Sequence, residues 1–102
     1  MIKIINKKFS RADKHTFFCG RPSPLGNPWE LKSEDDRDRV IAEYKIWIED
    51  QLEKGNPRVM SALLEILNHH KEHGQVTLQC YCYPLNCHCN VIKDILEKLI
   101  LT

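Results

Sequence analysis

The chain lacks an excess of either charge: 15 Lys and Arg stand against 14 Asp and Glu over 102 residues, a formal net charge of +1. No global field therefore draws it toward nucleic acid or an anionic membrane, and nucleic-acid binding is unsupported. Long apolar runs are missing too. Residues 1–8 alternate isoleucine with lysine and asparagine and hold no block suited to a signal peptide, and no segment approaches the length of a spanning helix. A cytoplasmic location with no membrane partner is the expectation. Without repeats, low-complexity stretches or linker-like segments, residues 1–102 read as a single domain around one core.

What the chain does have is concentrated. Cys80-Tyr81-Cys82-Tyr83-Pro84-Leu85-Asn86-Cys87-His88-Cys89 carries four of the five cysteines, a histidine and a proline within ten residues. Cysteine and histidine ligate metals, carry thiolate chemistry and titrate near neutral pH, so their crowding on one turn marks a site. In a reducing compartment such a cysteine-rich loop is metal-binding, catalytic or buried more often than disulfide-bonded. Cys80 and Cys82, two apart on a strand, would have Cα atoms about 6.6–7 Å apart, at the edge of disulfide geometry.

Periodicity orders the rest. Ile2 and Ile4 alternate with polar residues, Thr16-Phe17-Phe18-Cys19 is a short apolar run closed by Gly20, and Val76, Leu78, Cys80 and Cys82 alternate with Thr77, Gln79 and Tyr81; three strands are expected. Ser33 before Glu34, Asp35 and Asp36 predicts a helix N-cap, with Val40, Tyr44, Trp47, Ile48 and Leu52 inward and Gly55 at the C-cap. Asn56-Pro57 restarts a helix whose buried face is expected at Met60, Leu63, Leu64 and Leu67, ended by Gly74. Val91, Ile92, Ile95, Leu96, Leu99 and Ile100 mark a terminal helix. The expected fold is α/β: a small three-layer or two-layer Rossmann-like domain with a short, mostly parallel sheet of about three strands and three helices.

Gly20-Arg21-Pro22-Ser23-Pro24-Leu25-Gly26-Asn27-Pro28 packs three prolines and two glycines into nine residues, a stiff loop of fixed shape. In a parallel sheet this loop and the 80–88 loop both leave strand C-terminal ends, where ligands collect. An anionic small molecule, nucleotide-derived or phosphorylated, suits a pocket between them, with Arg21, Ser23, Gly26, Asn27, Cys80 and Cys82 as binding residues. Arg21 bonding loop carbonyls and Ser23 capping a turn is the competing reading. Cys87 and His88 are the candidate catalytic pair, against an inert buried Cys87. Zinc is the candidate cofactor: Cys80, Cys82 and Cys87 with either His88 or Cys89 supply four ligands, although the spacing differs from paired Cys-x-x-Cys sites. His69, His70 and His73 read as a solvated helix face, with a weak metal patch as the alternative; Trp29 packs under the proline-rich loop or floors the pocket.

The stretch from Phe18 to Trp29, then Val40, Tyr44 and Trp47, then the segment from Leu78 to His88, resembles the phage and bacterial proteins of domain-of-unknown-function family 4326. The resemblance runs from about Phe17 to Leu96, and its pattern falls on Gly20, Arg21, Gly26, Asn27, Pro28, Cys80, Cys82, Pro84, Cys87 and His88. It implies a compact α/β domain of phage or mobile-element origin, in the host cytoplasm if phage-encoded, and implies no activity. After His88, similar proteins often carry a small and then an acidic residue, where this chain has Cys89 and Asn90. The alternative function is a protein-interaction or inhibitor module acting on a host protein, with the Cys/His loop structural or zinc-clasped.

Overall fold

The computed structural model describes residues 2–8, 11–20, 23–28, 33–81, 85 and 87–101. Strands β1 (Ile2–Asn6), β2 (Thr16–Phe18) and β3 (Val76–Cys80) form one parallel sheet in the order β1-β3-β2, and helices α1 (Arg37–Lys54), α2 (Pro57–His73) and α3 (His88–Leu101) complete the fold. Among the described residues the expected small α/β domain with three strands and three helices is present, and every pairing in the sheet is parallel.

β3 is the central strand, and all five of its residues are buried. Its backbone is paired on both sides, and the pairing runs past the strand ends: Lys7 N–H donates to Cys80 O, Cys19 N–H to Gln79 O and Thr77 N–H to His15 O. Ile2, Ile4 and Asn6 stand opposite Val76, Leu78 and Cys80, and Phe17 stands opposite Leu78. Period-two alternation thus puts this whole set on one face of the sheet. The core lies there, where the sheet residues meet Tyr44 and Ile48 of α1, Val59, Leu63 and Ile66 of α2, and Ile92 and Leu96 of α3.

Helix ends follow local chemistry. Asn56 Oδ1 accepts from the N–H groups of Arg58 and Val59, Pro57 occupies the first helical position, and Gly55 and Gly74 close α1 and α2 at φ 71° and 73°. Two expectations are corrected. Ser33 does not cap the long helix: a 3-10 turn, Glu34–Asp36, intervenes and Asp36 is the N-cap residue of α1. The buried stripe of α2 is Val59, Leu63 and Ile66, while Met60 and Leu64 are 38% and 51% exposed. Both stripes have helical spacing; contact with β3 selects the first. In α3, Val91, Ile92 and Leu96 are buried, while Leu99 and Ile100 are exposed.

Candidate functional site

Because the three strands are parallel, Asn6, Phe18 and Cys80 end at one rim of the sheet. The 20–28 and 80–88 segments both leave from that rim, and α2 and α3 begin there. Three described contacts tie it together. His88 Nε2 lies 2.5 Å from Cys19 O, the Tyr44 hydroxyl donates to Leu25 O at 2.7 Å, and Asn6 Nδ2 donates to Tyr81 O at 3.2 Å. The Tyr44 and His88 rings meet edge to face with centroids 5.1 Å apart. Burial holds the Tyr44 phenol far above its ordinary range, and the Cys19, Cys89 and Cys87 side chains add to this, so it is a neutral donor.

Among the described residues, four buried cysteines without a disulfide lie under this rim: Cys19, Cys80, Cys87 and Cys89. Cys80 extends the core face of β3, Cys19 follows β2, and Cys87 and Cys89 flank the start of α3. The Sγ atoms of Cys80, Cys87 and Cys89 all lie within 4.8 Å of one another, close enough to hold a metal ion. The Cys80 and Cys87 sulfurs are 3.4 Å apart. Hydrogen bonding among Cys89, Cys19, Cys80 and Cys87, followed by burial, pushes the Cys89 thiol far above its ordinary value. At α3's start, Cys87 N–H donates to Asn90 Oδ1 at 3.0 Å while Asn90 N–H donates to Cys87 O. The amide at position 90 thereby provides a cap that an acidic residue would also supply.

Of the residues singled out from the sequence, Cys80, Cys87 and His88 come together here. Cys87 is 3% exposed and packs among sulfurs, while His88 directs its Nε2 at the Cys19 carbonyl. Ser23 Oγ accepts from Leu25 N–H at 3.2 Å and Gly26 N–H donates to Ser23 O, so Ser23 organises its own turn. Gly26 is buried and Asn27 half-buried in that turn. Arg21, Trp29, Cys82 and Pro84 lie outside the described residues.

Sequence reasoning missed two groupings. Cys19 reads from the sequence only as a strand residue, because its place beside β3 depends on the strand order; a cysteine at the end of an expected strand is all the signal that the sequence carries. His15, the last residue before β2, joins His69 and His73: its Nδ1 is 2.9 Å from His69 Nε2, its Nε2 is 3.2 Å from Gln75 Nε2, and its ring lies 5.3 Å from that of His73. The solvated face expected for His69 is therefore in part a contact with the segment entering the sheet.

An open cleft of about 490 Å³ adjoins the rim, bounded by Phe17, Phe18, Ser23 and Leu25 on one side and by Arg58 and Ser61 of α2 on the other. Among the described residues, no helix is long and apolar enough to cross a membrane.

No curated protein and no solved structure matches this chain. With its parallel α/β sheet and its cysteine corner in view, the remaining comparison is decisive for kinship: the family model described as Domain of unknown function (DUF4326) matches residues 2–98, and the protein belongs to that family.

Proposed function

We propose that the domain binds an anionic small ligand, nucleotide-derived or phosphorylated, at the C-terminal rim of its sheet, between the 20–28 loop and the 80–88 segment. The observation that carries this reading is the His88–Cys19 contact, which sets the roots of the two loops side by side where parallel strands end. A cleft of about 490 Å³, within the range that encloses small ligands, adjoins the 20–28 loop on its α2 side, where Glu65 also lines it and no described residue of the 80–88 segment does. Arg58 on its wall and Arg21 in the loop supply positive charge suited to phosphate or carboxylate. The buried thiols serve as a clasp beneath the rim, and zinc is the metal that such a set of sulfurs favours.

Thermal shift against a panel of nucleotides and phosphorylated sugars tests this. The expected result is a concentration-dependent rise in Tm for one ligand class, lost in Arg21→Ala and weakened in Arg58→Ala. Equal melting of all three proteins across the whole panel overturns it. A second reading, an interaction or inhibitor module for a host protein, draws on Ile46 of α1 and Leu64 of α2, apolar side chains 70% and 51% exposed. That reading expects a stoichiometric partner on purification and no response to small ligands.

A further inference from the structure

Cysteine is a common small core residue, and four of them scattered through a core would call for no explanation. Here they are gathered. The four thiols come from three parts of the fold: the residue after β2, the last residue of β3 and the start of α3. The Cys80–Cys87 separation of 3.4 Å is far longer than a disulfide bond of about 2.05 Å. It is close to the ~3.8 Å edge of a sulfur tetrahedron drawn around a zinc ion with Zn–S bonds of about 2.3 Å. Cys89 closes a triangle with those two within 4.8 Å; Cys19 stands outside that triangle, its thiol donating to Phe17 O at 3.6 Å, and is a side-chain neighbour of Cys89.

We propose that Cys19, Cys80, Cys87 and Cys89 bind one zinc ion as a closed, four-thiolate tetrahedral site that fastens the end of β2 to the start of α3. This set keeps Cys80, Cys87 and the Cys89 alternative that the sequence offered, and puts Cys19 in place of Cys82. His88 is excluded as a ligand through Nε2, because that nitrogen is engaged with the Cys19 carbonyl; it positions the backbone of a ligand instead. All four cysteines are at most 3% exposed, so the site has no open coordination position for a substrate and is structural.

A bound dication favours the thiolate form of its sulfur ligands. On binding, four S–H bonds break, four Zn–S bonds form and four protons pass to solvent. The resulting site carries a net charge of about −2, which faces the positive end of the helix dipole at α3's first turn. This inference does not depend on a ligand at the rim.

The test uses the full chain purified without chelator. Elemental analysis should find about one zinc per chain, and its removal should lower Tm. Cobalt(II) exchanged into the site should give the strong visible bands of tetrahedral coordination and a sulfur-to-metal charge-transfer intensity matching four thiolates. Cys19→Ser and Cys89→Ser should each reduce that intensity to roughly three-quarters or abolish binding, while Cys82→Ser leaves it unchanged. Should the serine variants fail to fold, the thiolate count from unaltered protein still decides. Protein that holds no zinc and takes up no cobalt overturns the site, and so does full cobalt intensity in Cys19→Ser together with its loss in Cys82→Ser. Either result leaves the rim-binding reading to stand or fall on the ligand panel.

Discussion

His88 Nε2 and the carbonyl oxygen of Cys19 form a hydrogen bond across 69 positions of sequence. A carbonyl only accepts, so the imidazole carries its proton on Nε2. The bond joins the first residue of α3 to the residue that follows β2, and the ring also packs against Tyr44. His88→Ala should lower stability by about 1–3 kcal/mol, since it leaves a buried acceptor without its donor. His88→Gln should recover part of the loss through its amide N–H and, on the zinc site proposed above, should keep the metal. Urea denaturation of the three proteins reads the first effect and metal analysis the second; loss of zinc in His88→Gln would show the imidazole to be a ligand.

Tyr44 reaches from the middle of α1 to the 23–28 turn, and its hydroxyl is the buried donor for Leu25 O. Tyr44→Phe removes that hydroxyl alone and keeps the ring contacts with Trp47 and His88. A loss of about 1–2 kcal/mol is expected, seen as a lower denaturation midpoint at unchanged slope. A midpoint equal to that of the parent protein would mean the turn is held without this bond.

The orientation of α2 gives a paired test. Leu63 is 3% exposed in the core cluster while its neighbour Leu64 faces outward. Leu63→Ala should cost about 2–4 kcal/mol, and Leu64→Ala should stay within about 0.5 kcal/mol of the parent. Equal costs from chemical denaturation would place the buried stripe where the sequence alone suggested.

Acid should destabilise the domain through His69. Partial desolvation, then the neighbouring His73 and His15, hold the His69 imidazole below its ordinary 6.5, with Lys14 acting in the same direction and Glu72 against it. Below pH 6.5 the unfolded chain therefore takes up a proton at this position more readily than the folded chain. Stability due to His69 is present above that value and falls as pH drops toward the lowered folded one. Tm should decrease as pH falls below about 6.5, with a shallower slope in His69→Gln. A slope unchanged by the substitution would assign the acid sensitivity elsewhere.

Features that depend on neighbours in sequence were legible before any coordinates. Gly55, Asn56, Pro57 and Gly74 act through their own backbone and side-chain preferences, and the alternation of Val76, Leu78 and Cys80 follows from strand geometry. Features that depend on the order β1-β3-β2 were not. Cys19 joins the other cysteines, and His15 meets His69, only because β2 runs beside β3. The spacing of α2 admits both Val59, Leu63 and Ile66 and the expected Met60, Leu63, Leu64 and Leu67, and packing against the sheet decides for the first, with Leu67 half-buried beside it. Ser33 and its acidic neighbours carry the signature of a helix start and yield a 3-10 turn first, one turn before the α-helix proper.

The middle position of β3 dictates when the sheet can exist during synthesis. β1 and β2 have β3 as their shared partner and do not pair with each other. As the nascent chain leaves the ribosome, α1 and α2 can form from local bonds, yet neither early strand has a template until residues 76–80 emerge. Assembly of the sheet is therefore a late event that recruits the two earlier strands at once, and until then their apolar side chains wait without cover.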